Sequence, residues 1–356
     1  MPARPPLSGR DVTLNAEVFM CVWSAYAGKC AAAPVLWESF VAIEGIWGGF
    51  YTGMVTLQEG VFHSQKCAGH SGVWAQQWSL ADFPGNAGMI HSRTNSGGDQ
   101  RRAHPFIGCH QRVALVSQGS LGRFQDDIGD FIAVGNRLLQ EGRSFNSASK
   151  DDASRSPFLA DGNQVSLSDI VVNEVEAVYE KTGDMLSALR TAGLGMREES
   201  ATIFLFADRP GTLGFINLNQ HLVCNFSEHG VHLSVTALGL PGAGMEIPGN
   251  SVGWVTADGL LHREELSPEL ELDTRIPDGL LSATEEYLRH NSGVLLGTLC
   301  DAAIRPKFPH QKLEYCAVAA YRVLETLLAD RRVRLQPREV PGPCGCPGRV
   351  FGIELC

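Results

Sequence analysis

The sequence predicts an α+β fold built on more than one sheet. Two observations carry this. Strand-like and helix-like stretches are interspersed, and the strand-like runs at 201–207, 212–217 and 230–236 follow one another too closely for a strand–helix–strand repeat. In addition, a chain of 356 residues with 44% hydrophobic and 19% charged residues has core material for one large domain or two ordinary ones.

The elements follow in chain order. Residues 1–20 read as an extension, proline-rich at its start, and residues 20–27 as a buried strand, being apolar and aromatic. Ala31 to Ile46 reads as a helix: Leu36, Phe40 and Ile43 share a face, and Pro34 sits in the first turn. Gly45, Gly48, Gly49 and Gly53 break it and admit a passage into a strand at Met54-Val55-Thr56-Leu57. Residues 88–92 and 112–118 read as two more strands, with the small polar loop Arg93–Gly98 between them. Residues 144–167, rich in Ser and Asp, read as an inserted loop. Ser168 is expected to cap a helix from Asp169 to Lys181 that stops at Gly183, and Asp184 to cap the next, through Ala192. Beyond residue 262, Ser282-Ala283-Thr284-Glu285 spells a capping box before a helix. Leu313 to Leu328 reads as a strongly apolar helix. The four prolines from Pro337 to Pro347 speak against regular structure there.

A net charge of −10 argues against a general binder of nucleic acid or anionic membrane. No apolar run reaches eighteen residues, so no membrane span is expected. Residues 1–20 hold Arg4, Arg10 and three prolines but no apolar h-region, so they do not read as a secretory signal. The ten cysteines are scattered rather than framed for disulfides, which points to a reducing, cytoplasmic setting. Cys344-Gly345-Cys346 lacks further ligands at workable spacing, so neither a metal nor a cofactor is expected.

The chemistry is concentrated at Cys21, directly after Met20. As an amino-terminal residue it would carry a thiol and a free α-amine together. That amine titrates near pH ~8, so its neutral form can take the thiol proton. The alternative is a buried strand cysteine. Further anchors follow in order. They are Met20-Cys21-Val22-Trp23-Ser24-Ala25-Tyr26-Ala27-Gly28, His91-Ser92-Arg93-Thr94-Asn95-Ser96-Gly97-Gly98, Ala103-His104-Pro105-Phe106, Ser117-Gln118-Gly119 and Ser166-Leu167-Ser168-Asp169-Ile170.

With these anchors the stretch from about residue 20 to 262 resembles the class II glutamine amidotransferases, N-terminal-nucleophile hydrolases, and in particular the glutaminase domain of glutamine–fructose-6-phosphate transaminase. The resemblance implies a four-layer αββα sandwich over 21–262, a small, mostly helical C-terminal extension over 263–356 with a Pro/Cys-rich tail, and a leader over 1–20. It implies that Cys21 attacks the side-chain amide of glutamine, forms a thioester and releases ammonia, with its own α-amine as base. It further implies that Arg93 grips the substrate α-carboxylate, Asp169 holds the α-ammonium with Ser96 in the same pocket, and Gly119 and Gln118 donate to the oxyanion. His91 and His104 are expected to hold loops together.

Departures accompany the resemblance. Gln118 stands where the family has asparagine, Thr94 where it has tryptophan, Gly97 where it has histidine, Trp47 where it has arginine, and Val22 where it has glycine. With residues 1–20 attached, the Cys21 nitrogen is an amide and cannot act as base. The expectation is therefore a working start at Met20 with methionine removal, or cleavage of a propeptide. The sugar-isomerase portion of the transaminase has no counterpart in residues 263–356. Ammonia would then pass to water, to an acceptor-binding partner subunit or to a small acceptor. Two other readings stand beside this one: an N-terminal-nucleophile amidase acting on another amide, and a catalytically silent relative that binds an amino acid or a partner.

Overall fold

The computed structural model describes residues 21–120, 128–150, 156–196, 199–268, 276–308 and 315–356. The expected leader, 1–20, lies outside the described residues, as does the expected start of the last helix at Leu313.

Two antiparallel sheets face each other. The first has the order β11 (Met245–Glu246), β9 (Val223–Ser227), β10 (Gly230–Ser234), β1 (Val22–Gly28), β4 (Ala87–Arg93), β2 (Tyr51–Gln58) and β3 (Val61–Ala68). The second runs β13 (Leu261–Glu265), β12 (Ser251–Thr256), β8 (Thr212–Asn217), β7 (Glu199–Phe206), β6 (Val113–Ser120) and β5 (Phe106–Ile107). Helix α1 (Ala32–Val41) packs on β1, β4 and β2, and the short α2 (Ser71–Trp74) follows β3. Helices α3 (Ile128–Gln140), α4 (Leu167–Thr182) and α5 (Met185–Gly195) cover the other flank, α4 on β6 and α5 on β8 and β12. The fold is α+β, with the αββα layering.

Alternation along the strands sorts the core. On β6, Ala114 and Val116 join the core between the sheets, while Val113 and Leu115 join the one under α4. Two side chains bridge the sheets at one end of the sandwich. Trp23 Nε1 donates to the Ala201 carbonyl at 3.1 Å, and His91 Nε2 meets the Ser117 carbonyl at 2.9 Å.

Helix α1 ends at Val41 rather than Ile46 because Glu44 turns inward. Its carboxylate accepts from the Ser71 N–H and from the Thr52 hydroxyl, and Gly45 at φ +104° carries the chain away. Helix α4 starts at Leu167 with Ser166, not Ser168, at the N-cap position, since the Asp169 and Ile170 N–H groups already donate to the Ser166 carbonyl.

The C-terminal segment adds α6 (Leu280–His290), α7 (Leu296–Leu299) continuing through a π-turn at Cys300–Ile304, and α8 (Tyr315–Ala329). A hairpin of β14 (Val333–Pro341) and β15 (Pro347–Leu355) follows. Two expectations are corrected here. Ser282 lies inside α6, whose N-cap is Gly279, because helix formation extends upstream to Leu280. The proline-rich tail is regular: each strand of a two-stranded ribbon has an unpaired side, where a proline lacking its N–H does no harm. The segment shares its core with the sandwich, through Leu288, Leu296, Leu299, Leu324, Leu327 and Ile353. The hairpin docks on the glycine-rich turn, with Arg349 N–H donating to the Gly49 carbonyl and Phe351 N–H to the Gly45 carbonyl, both at 2.8 Å. Among the described residues no helix is long and apolar enough to cross a membrane.

Candidate active site

Cys21 immediately precedes β1. The β1–β4 ladder ends at Val22 opposite Ser92, so the next step in register sets Cys21 opposite Arg93. Side chains two apart on a strand share a face. Trp23 and His91 both reach across to the second sheet, so Cys21 and Arg93 face the inter-sheet space as well. From the other sheet, Gln118 shares the inward face of Val116 and is fully buried. Cys21, Arg93 and Gln118 thus meet at one mouth of the sandwich.

Gly119 belongs there too. The Leu218 N–H donates to the Ser200 carbonyl, so Ser200 spends its backbone groups on β8, and Gly119, its partner across the ladder, turns its N–H away from β7. On that side β5 reaches only Ala114 and Leu115, so the Gly119 N–H points past the end of β5. A side chain at Gly119 would strike the Glu199 carbonyl and the Ser200 Cβ, each 2.7 Å from an added Cβ, which is why glycine fits here.

The loop after β4 is folded on itself. Arg93 Nη1 donates to the Gly97 carbonyl at 2.9 Å, and the guanidinium lies over the Tyr51 ring at 5.1 Å. The Tyr51 hydroxyl in turn donates to the Gly98 carbonyl at 2.7 Å. Ser96 is half-buried in this loop, and its N–H donates to the Thr94 carbonyl. Arg93 is therefore held by its own loop with its charge at the mouth.

Asp169 lies in the first turn of α4, fully buried. Its Oδ2 accepts from the Ser147 N–H at 2.7 Å and the Ser147 hydroxyl at 2.8 Å, and its Oδ1 from Asn173 Nδ2 at 3.2 Å. Burial pushes its carboxyl up to about 6, with the Ser147 hydrogen bonds and then the Lys66 and Arg102 charges pulling the other way. Lys66, on β3, lies within the field of both Asp169 and Arg93. Its ammonium donates to the Ala103 carbonyl at 2.8 Å, and burial drops it to about 8. His91 is lowered to about 3 and His104 well below its ordinary value, both chiefly by burial, so both imidazoles are neutral. Their rings pack at 4.0 Å, and His91 ties β4 to β6.

Sequence reasoning missed two residues. One is Lys66, whose single charge within a strand gave no signal of burial. The other is Tyr321 on α8, fully buried, whose hydroxyl donates to Gln118 Oε1 at 3.3 Å. It lies close enough to Cys21 for a thiolate to act on it. A signal existed: Tyr321 and Glu325, four apart, put two polar tips on one face of a largely apolar helix. Cys109, His110 and Glu176 also cluster, but Glu176 already accepts from Arg143 and from the backbone N–H groups of His110 and Arg112, which fills the carboxylate without a metal.

Comparison with known proteins bears on the fold and on what the chain resembles. No protein-family model matches the chain. Glutamine–fructose-6-phosphate aminotransferase [isomerizing] from Pyrococcus horikoshii is 25% identical over 207 residues, which is 57% of this chain and 30% of the relative. This chain resembles the class II glutamine amidotransferases. The glutamine phosphoribosylpyrophosphate amidotransferase of B. subtilis superposes with a TM-score of 0.53 at 11% identity, over 70% of this chain and 50% of its own. A structure described as the allosteric regulatory enzyme of purine biosynthesis gives a TM-score of 0.52 at 12% identity, over 70% and 49%. At such identities the two structures establish the fold. The chain spans half or less of the length of each of these relatives.

Proposed function

We propose that the chain hydrolyses the side-chain amide of glutamine to glutamate and ammonia. The observation that supports this reading is the convergence of Cys21, Arg93, Gln118 and the Gly119 N–H at one mouth of the sandwich. In this reading the Cys21 sulfur attacks the amide carbon once the α-amine of Cys21 is free to take the thiol proton. The carbonyl oxygen gains charge, which the Gly119 N–H and the Gln118 amide stabilise. The amine returns its proton to the departing nitrogen, ammonia leaves, and water cleaves the thioester. Arg93, a strand away from Cys21, receives the substrate α-carboxylate, with Ser96 in the same loop. Asp169 holds the α-ammonium, and ammonia passes to water or to an acceptor bound by a partner subunit. The reaction as written needs no metal or cofactor.

One observation favours a second reading, an amidase of the same nucleophile type acting on an amide without an α-ammonium. Both oxygens of Asp169 already accept hydrogen bonds inside the protein. The test compares glutamine with glutaramate, which lacks the ammonium, in protein that begins at Cys21 and in its Cys21→Ala variant. Ammonia from glutamine at a kcat/KM at least about 10-fold above that from glutaramate, lost in Cys21→Ala, supports the glutaminase. Equal values support the second reading, and release that survives Cys21→Ala overturns both.

A further inference from the structure

We propose that Tyr321 is a positioning residue for amide hydrolysis, its phenol fixing the Gln118 side chain so that the amide nitrogen, not the amide oxygen, faces the oxyanion. The proposal rests on the reading of Cys21 as nucleophile given above.

Glutamine carries one more rotatable bond than asparagine, and its amide has two faces of opposite polarity. In one orientation it donates to a developing oxyanion. Rotated by half a turn it presents an acceptor and repels it. A glutamine in this position therefore needs its amide held at both ends. The structure supplies both. The Tyr321 hydroxyl donates to Gln118 Oε1 at 3.3 Å, and Gln118 Nε2 donates to Gln220 Oε1, also at 3.3 Å. An amide nitrogen carries two hydrogens, and Gln220 takes one of them.

Tyr321 is itself clamped. His221 stacks on its ring at 5.5 Å with 16° between the planes, and Trp47 meets it edge-on at 6.4 Å. His221 is fixed by a 2.7 Å hydrogen bond between its Nδ1 and the Val235 carbonyl, and its Nε2 lies 3.7 Å from Glu325 Oε2. Glu325, one turn along α8, accepts from the Thr236 hydroxyl at 2.6 Å and the Ala237 N–H at 2.8 Å. These bonds pin α8 across the mouth of the sandwich. Burial, with the nearby Cys21 and Glu325, keeps the phenol protonated well above its ordinary range, so it stays a donor while Cys21 reacts. The C-terminal segment thus reaches the oxyanion through a single amide.

The experiment is a double-mutant cycle on glutamine hydrolysis by protein that begins at Cys21. Tyr321→Phe keeps the ring and its packing and deletes one hydroxyl. It is expected to lower kcat about 10- to 100-fold while KM for glutamine stays within about twofold, because the oxyanion contact is made in the transition state. Gln118→Ala is expected to lower kcat by ~10²–10³, and adding Tyr321→Phe to it should cost less than about threefold more. A crystal structure of Tyr321→Phe should show the Gln118 amide rotated or split. Losses that multiply, a Tyr321→Phe enzyme as fast as an active parent, or an amide unmoved in the variant would each overturn the proposal alone. A parent whose ammonia release does not depend on Cys21 overturns the nucleophile reading and takes this proposal with it.

Discussion

Asp169 and Gln118 are the residues at which the chemistry is most exposed to test. Asp169 can grip an ammonium only as a carboxylate, and burial lifts its protonation to about 6. KM for glutamine should therefore rise as pH falls through about 6 and level off above it. The same shift has a second consequence of definite sign. A carboxyl raised in the folded state adds stability below its ordinary value near 3.8, and that stability is lost as pH climbs through about 6. Asp169→Asn should flatten the KM profile, and a wild-type KM that is level from about pH 5 to about pH 7 would remove Asp169 from the ammonium site. At Gln118, substitution by asparagine restores the shorter stem but moves the amide away from Tyr321, so kcat should fall about 10-fold or more rather than rise. Steady-state kinetics of Gln118→Asn decides this. At this scale the sequence picked out residues that the fold places at one end of the sandwich: Cys21 after Met20, Arg93 in its polar loop, and Gln118 before Gly119. It was silent on Lys66 and Tyr321, because their roles come from packing partners far away in the chain. Lys66 feels the Asp169 charge from across the fold, and Tyr321 donates to Gln118 over a separation of 203 residues.

The elements differ in how far local pattern decided them. Strands β1, β2, β4, β6 and β7 are buried through their apolar stretches, and polar residues such as Thr52, His91, Gln118 and Glu199 are buried with them. Strand β13, Leu-His-Arg-Glu-Glu, has no apolar face and exists because β12 pairs with it, and half-exposed β3 is carried by β2 in the same way. The hairpin β14–β15 formed in spite of its prolines because its unpaired sides tolerate them. Its docking depends on the glycine-rich turn. Gly49 lies at φ +88°, and a Cβ there would stand 1.8 Å from the Arg349 carbonyl oxygen. Gly49→Ala should therefore destabilise the protein by about 2 kcal/mol or more, and it should displace the hairpin. Chemical denaturation measures the first effect, and hydrogen exchange of β15 amides the second.

In the molecule as a whole, the C-terminal segment shares one core with the sandwich, and α8 crosses the end where Cys21 sits. Helices α6 and α8 were legible as helices, while α7 was not read, and the placement of all three was not, since nothing in a single apolar helix names the surface it covers. Truncation before residue 276 should strip Leu296, Leu324, Leu327 and Ile353 from that core and leave a protein without a cooperative thermal transition, which calorimetry detects. The central claim is narrower: one residue supplies both the sulfur that attacks and the nitrogen that takes its proton. The most direct measurement is glutamine-dependent ammonia release by protein whose chain begins at Cys21, set beside the same protein with a single alanine added in front. The account predicts release from the first and a loss of at least about 10²-fold in the second, where the nitrogen is an amide. Equal rates from the two proteins would contradict it.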